Sequence, residues 1–312
     1  MTTPEPSWPF SAPPARSARF ATLEPIDLGL TLAPLRHGRD DPTIRFERDG
    51  VWLARSTATG PATIRLATDG QAITVDAWGS GAEPAIEAVP DLAGLTDVAG
   101  MLTPHHSLVR DLQRRFPGLR LPRTGQLLAA LVPAVIEQKV TGPEAHGAYL
   151  ALVRKLGERA PGPVALLLPP SARALAALPY FELHPLGLER RRADLLRRIA
   201  LQASAIEALT ALPPEVAMSR LQSIPGIGPW TAAEATRTAL GDPDAVSVGD
   251  AHLPDLVAWA LAGEPRADDA RMLELLEPYR GQRARVVRLL EVAGIKIPRF
   301  GQRFAPRRIA RI

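Results

Sequence analysis

Across residues 23–78 apolar positions recur with a period of two. Ile44 and Phe46 alternate with Arg45 and Glu47, Ile64 and Leu66 follow, and Ile73, Val75 and Ala77 close the run. Asp49-Gly50 and Asp69-Gly70 fall between these segments. An Asp-Gly pair between alternating runs turns the chain back on itself, because both residues tolerate the left-handed backbone that a tight hairpin needs. The pattern predicts an antiparallel sheet of four or five strands in a supporting domain, residues 21–102. Residues 1–20 carry five prolines, and Trp8, Phe10 and Phe20 are too widely spaced to define a face. They read as a flexible extension.

Past Gly79-Ser80-Gly81 the pattern loosens, and from about Thr103 the period becomes helical. Thr103-Pro104 predicts a cap and a first-turn proline for a helix through Leu108, Leu112 and Phe116, stopped by Pro117-Gly118. Thr124 is expected to cap the next helix, whose buried face holds Leu127, Leu128, Leu131, Val135 and Ile136. That helix runs out in a polar cluster, Glu137-Gln138-Lys139-Val140-Thr141. Thr141 and Pro143 open another helix, and residues 157–170 read as a proline-rich connector. Further helices are expected from Ser171, Glu189 and Glu215, after Asp250, and over 271–276 and 282–292. The fold class is therefore α+β, with the sheet domain followed by a helical region, residues 103–298. A basic, frayed tail, residues 299–312, carries Arg303, Arg307, Arg308 and Arg311.

Composition narrows the chemistry. With 312 residues, 46% of them hydrophobic, the chain can bury sizeable cores. The absence of cysteine excludes disulfides, thiolate zinc sites, cysteine-ligated iron–sulfur clusters and cysteine nucleophiles. Six histidines do not replace them, since His105 and His106 are adjacent rather than a turn apart and the others stand alone. No metal and no cofactor is expected. No apolar run approaches a membrane span, and the first residues lack the order of a signal peptide, so a cytoplasmic protein without a membrane partner is expected. Net charge is +4, and the only lysines are Lys139, Lys155 and Lys296. Arginine forks suit phosphate oxygens, but a GC-rich genome produces the same bias, and charge alone favours that account.

The most specific stretch is residues 221–250, LQSIPGIGPWTAAEATRTALGDPDAVSVGD. Ile224-Pro225-Gly226-Ile227-Gly228 lies between two helical patterns. Pro225 fixes one φ angle and the glycines permit positive φ, which predicts a tight hairpin with N–H groups pointing outward. A phosphate can approach such N–H groups and the N-terminus of the following helix. Asp250 then stands at the start of another apolar-periodic run, a position that also suits a helix N-cap. Asp242 and Asp244 read as turn residues beside Pro243, and Asp255 as a solvated helix position.

LQSIPGIGPWTA followed by VSVGD resembles the helix-hairpin-helix and Gly/Pro-rich-loop-Asp signature of the DNA glycosylase superfamily. The stretches at residues 117–145, 184–200 and 277–290 are similar to segments of its bacterial alkylation-repair 3-methyladenine members, which also begin with an antiparallel sheet domain. The resemblance covers about residues 23–293. It implies a monomeric enzyme that binds double-stranded DNA, flips out a damaged base and hydrolyses its N-glycosidic bond.

By the same resemblance Pro225, Gly226, Ile227, Gly228 and Thr231 contact DNA through the hairpin at residues 221–232, and such hairpins often hold a monovalent cation. Gln138 and Lys139 lie at the wedge that fills the vacated place, although a solvated helix end fits these residues equally well and the family usually has an apolar residue where Lys139 stands. Asp250 is the expected catalytic carboxylate, an anion beside an oxocarbenium-like sugar.

Strand-cutting relatives use a lysine Schiff base near the end of the hairpin, where this chain has Trp230, so base release without lyase activity is expected. Trp230 either stacks on a cationic base, a contact worth ~0.5–2 kcal/mol, or packs behind the hairpin. Glu234 and Arg288 stand where the family tends to carry pocket aromatics. Glu234 is then either a surface partner of Arg237 at helical spacing or an acid in the pocket, which suits a neutral lesion.

Overall fold

The computed structural model describes residues 13–297. The expectations for residues 1–12 and for the basic tail lie outside the described residues. Five strands, β1 (Arg16–Ala21), β2 (Ile44–Glu47), β3 (Gly50–Thr57), β4 (Gly60–Thr68) and β5 (Ala72–Trp78), form one antiparallel sheet in the order β1-β5-β4-β3-β2. Asp49-Gly50 turns β2 into β3 and Asp69-Gly70 turns β4 into β5, as their sequence predicts. β1 is a correction, because it falls within the stretch expected to be a flexible extension. It is an edge strand with mostly exposed side chains, so it carries little apolar alternation to read.

One face of the sheet buries Ile44, Ile64, Leu66 and Ile73 against α1 (Leu28–Leu32), α2 (Ala82–Glu87) and α3 (Val89–Leu92), three short helices that the apolar pattern did not predict. On the other face Trp52 stacks on Trp78 with ring centroids 5.3 Å apart. Ala160, Leu166 and Leu168 cover that pair. The expected connector is therefore a lid on the sheet, which explains why β3 is buried on both faces and shows no clean alternation.

The remaining helices are α4 (Ser107–Arg115), α5 (Leu127–Ile136), α6 (Gly142–Leu156), α7 (Ala172–Ala177), α8 (Tyr180–Leu183), α9 (Arg190–Leu201), α10 (Ala203–Ala208), α11 (Pro214–Gln222), α12 (Pro229–Ala239), α13 (Leu253–Ala262), α14 (Asp269–Leu276) and α15 (Arg283–Val292). They make two cores. Helices α5 to α12 enclose one, with α5 buried at nine of its ten positions. The other joins α4 to α13, α14 and α15, so it is assembled from chain segments on either side of the first. No helix among the described residues is long and apolar enough to cross a membrane.

Two expected caps are corrected. α4 starts at Ser107 rather than at Thr103-Pro104, and the Nδ1 of His106 accepts the Leu108 N–H at 3.2 Å. α5 is not capped by Thr124; the carboxylate of Glu207 on α10 accepts the Leu127 and Leu128 N–H groups, both at 3.0 Å. At its other end Nη1 of the buried Arg192 donates to the Ile136 carbonyl at 2.6 Å. An anion at the N-terminus and a cation at the C-terminus both match the helix dipole, and neither partner is near in sequence. The expected start of α6 holds, with Thr141 and Glu144 in a capping box.

Candidate functional site

α11 and α12 form the arms of the hairpin, and the two glycines between them do different work. Gly226 has φ +102, and a Cβ there would lie 3.1 Å from Leu195 Cδ2 on α9. Gly228 is extended, with φ −93 and ψ 180, and a Cβ there would meet nothing within 4 Å. Both glycines permit positive φ, and only Gly226 adopts it. Ile227 is buried in the central core and holds the tip down, while Pro225 is exposed.

The carbonyls of the tip are taken from two sides. Pro225 O accepts from Arg198 Nη1 at 2.5 Å, and Gly226 O accepts from Gln138 Nε2 at 3.0 Å. The same Gln138 amide donates to Thr231 Oγ1 at 2.9 Å. Gln138 thus ties the turn between α5 and α6 to the hairpin, with its donors committed. Lys139 beside it is exposed and has φ +55, the only positive φ outside glycine among the described residues. Holding a lysine in this conformation requires the surrounding structure to fix it, which the two ends of α5 and the Gln138 bridge do.

Asp250 sits on three donors. Its Oδ1 accepts the N–H groups of His252 and Leu253 at 2.8 and 2.9 Å, so the carboxylate does cap the start of α13. Its Oδ2 accepts the indole N–H of Trp230 at 3.0 Å. Both carboxylate oxygens are thereby fixed in direction, and Oδ2 keeps free acceptor capacity. The loop before it is held by Asp269, which accepts the Gly249 N–H through both oxygens at 3.0 and 3.1 Å. Of the other acids, Asp244 binds Arg283 at the start of α15, and Asp255 accepts the Ala267 N–H at 2.9 Å, so it is a loop anchor rather than a solvated position.

One turn further along α12, Glu234 opens onto a cavity of about 250 Å³ between the sheet domain and helices α5, α12 and α15. Arg288 lines it too, as do Arg55, Glu137, Arg237 and Glu291; Trp230 and Asp250 do not. The Trp230 indole is turned to Asp250 instead. Glu234 accepts from Ser247 Oγ and, at 2.7 Å, from Arg237 Nη2. Arg237 reaches Glu291 at 3.5 Å, and Glu291 accepts from Arg288 at 3.2 Å. Burial pushes the Glu234 carboxyl up, against the pull of Arg237 and Ser247. Burial likewise works against the charge on Arg237, but Glu234 and Glu291 hold it above its ordinary value.

Glu234 thus pairs with Arg237 at helical spacing, and it also lines the cavity. Ser247 joins the two acids, because the Asp250 N–H donates back to the Ser247 carbonyl at 3.2 Å. Sequence reasoning missed Arg55, Glu291, Ser247, Arg198 and Asp269. Each acts on a residue well removed along the chain, and only Glu291 also has a partner at helical spacing, Arg288.

Helix α12 thus begins at a Gly-bearing hairpin, holds a carboxylate of the following loop through Trp230 and lines a cavity through Glu234. The chain has the fold of solved DNA glycosylases. It superposes on the 3-methyladenine DNA-glycosylase from Archaeoglobus fulgidus with a TM-score of 0.75 and 19% identity, over 88% of this chain and 97% of that one. On the Clostridium acetobutylicum 8-oxoguanine glycosylase/lyase bound to double-stranded DNA the TM-score is 0.71, at 13% identity over 91% and 98%. In sequence it is similar to DNA-3-methyladenine glycosylase 2 of Escherichia coli (strain K12), 32% identical over 168 residues. That match takes in 53% of this chain and 57% of the relative, little more than half its length. No family model matches the chain.

Proposed function

We propose that the protein is a monofunctional DNA glycosylase, which extrudes a damaged base from double-stranded DNA, hydrolyses its N-glycosidic bond and leaves an abasic site. The observation that carries this reading is Asp250, a carboxylate held by the Trp230 indole and two backbone N–H groups at the end of a phosphate-type hairpin. An N-glycosidic bond inside a duplex is out of reach, so the nucleotide must leave the stack, at a cost of a few kcal/mol that is least for a weakly paired base. The hairpin grips backbone phosphate through the N–H groups around Gly226 and Gly228, without reading sequence. Lys139, exposed beside the committed Gln138, is the side chain free to enter the duplex.

As the C1′–N bond breaks, positive charge develops on the sugar. The fixed Asp250 carboxylate stabilises that charge and orients water toward C1′. Trp230 acts by holding Asp250 in line. The position from which a lysine could form a Schiff base in this superfamily is filled by Trp230, which supports base release without strand cutting. A monovalent cation at the hairpin would depend on backbone carbonyls; those of Pro225 and Gly226 already accept from Arg198 and Gln138. No step depends on such an ion.

The sequence relative makes an alkylated base the first substrate to test. The decisive experiment follows free base and strand ends together on a lesion-bearing duplex. Free base is expected to appear, with strand breaks only after alkali and no borohydride-trapped protein–DNA adduct. A trapped adduct lost on Lys139→Ala would overturn the monofunctional assignment, and DNA binding with no base release on any lesion would overturn the enzymatic one.

A further inference from the structure

Arg55 projects from β3 and is 6% exposed. Its Nη2 donates to the Thr124 carbonyl at 3.0 Å, while Nε and Nη1 have no acceptor. Burial alone pulls the guanidinium down to about 10, with no carboxylate acting on it, so it is a cation at neutral pH. Among the other groups of the cavity, Glu234 pairs with Arg237 and Glu291 with Arg237 and Arg288, His37 Nδ1 lies 3.6 Å from Glu137, and the exposed Arg36 lies over the Phe46 ring. A buried cation with two nitrogens left unsatisfied is costly, and the fold keeps it inside an enclosed space. That pattern fits a donor awaiting an acceptor that arrives with a ligand.

The location says which ligand. The loop that holds Arg55 through Thr124 lies against the far end of α12, with Thr124 N and Gly125 N donating to Thr238 O and Ala239 O at 3.2 and 2.9 Å. Trp230 with Asp250 marks the first turn of α12, Glu234 the second, and Thr238 with the Arg55 loop the third. A sugar placed at Asp250 would send its base past Glu234 toward Arg55.

We propose that Arg55 donates to an exocyclic carbonyl oxygen of the extruded base, so that the cavity takes an uncharged, carbonyl-bearing damaged base in preference to a cationic alkylated one. This rests on the base-release reading above. Four arginines and three glutamates line the cavity, and Arg55 is the buried cation among them without a carboxylate partner, so an entering cation meets its charge. A carbonyl oxygen supplies the missing acceptor, and the Glu234 carboxylate can accept a ring N–H. The same contact assists the harder chemistry of an uncharged base. Heterolysis leaves the electron pair of the C1′–N bond on the base, where the guanidinium stabilises the charge delocalised onto the oxygen. Water adds to C1′ and gives up its proton, and the base anion takes a proton from solvent.

The test measures single-turnover base release from duplexes carrying uracil, hypoxanthine or 8-oxoguanine, against 3-methyladenine, a cation without a carbonyl, and ethenoadenine, neutral and without one. Wild type is expected to release at least one carbonyl base about tenfold faster than either comparator, and Arg55→Met to slow that base by about tenfold or more while leaving the comparators within about twofold. Arg55→Lys keeps the charge but not the fork, and its rate on the carbonyl base is expected to fall between the two; it serves as the test if Arg55→Met does not fold. Equal losses on every base would reduce Arg55 to a structural role, and preferred release of 3-methyladenine would overturn the inference while leaving a glycosylase. Duplex binding with no release of any base would remove the glycosylase reading, and this one with it.

Discussion

The hairpin with its aspartate and the cavity behind it share helix α12 but are built by opposite means. The hairpin is local: one left-handed glycine, one extended glycine and a buried isoleucine lie within five residues. The binding groups proposed for it are backbone N–H groups, which offer the same surface whatever base is nearby. The cavity is non-local. Its charges arrive from β3, the end of α5, α12 and α15, and they are side chains, each with a particular donor or acceptor to offer. In the function proposed above, reaction class rests on the first region and substrate choice on the second.

Substitutions can pull this division apart. The largest effect is expected for Asp250→Ala, which removes both the anion and the cap of α13: base release should fall by about 100-fold or more, with a loss of ~1 kcal/mol in thermal or denaturant stability. Release rates that survive this change would put the chemistry elsewhere. Trp230→Phe keeps an aromatic ring but loses the 3.0 Å bond to Oδ2. About a tenfold fall in single-turnover rate is expected with DNA affinity unchanged, and a change in affinity alone would instead make Trp230 a DNA contact.

The glycines offer a smaller, cleaner contrast. Gly228→Ala leaves the free protein intact, because nothing lies within 4 Å of the new Cβ. It should still weaken binding about threefold on all sequences alike, since the methyl crowds an approaching phosphate. Gly226→Ala is strained at φ +102 and is expected to lose ~1 kcal/mol of stability before any DNA is added. Titrations of both variants, read beside their melting curves, separate contact from conformation.

The smallest effect concerns the support of the cavity. Asp244 holds the start of α15, and although burial acts to raise its carboxyl, the Arg283 side chain and the Arg283 and Gly281 N–H groups hold it below the usual range. A depressed folded value stabilises above the unfolded one, and the gain is lost as pH falls through the folded value. Asp244→Asn should therefore lower the melting temperature modestly at pH 7, and the difference should close in acid. A gap that stayed constant with pH would assign the effect to geometry.

The two regions also differ in how far they could be read without coordinates. Hairpin, Asp250, the Asp-Gly turns of the sheet and the Thr141 cap are short-range patterns in which neighbouring residues determine each other's backbone, so spacing carries the information. β1, Glu207 at the head of α5, and Arg55 could not be read in this way. An edge strand lacks apolar alternation, and Glu207 lies 80 and 79 positions from the N–H groups that it satisfies. Arg55 is informative only because its partners are absent, which no sequence displays. Trp230 is legible as part of the hairpin, but its bond to Asp250, twenty residues on, is not.

The most direct measurement is single-turnover base release by Asp250→Asn on a bound lesion duplex. Asparagine caps a helix about as well as aspartate, so the loop and α13 should persist while the negative charge is lost. The account predicts wild-type DNA affinity and unchanged melting, with release slowed by about 100-fold. Release at the wild-type rate from a folded, DNA-bound Asp250→Asn protein would contradict it.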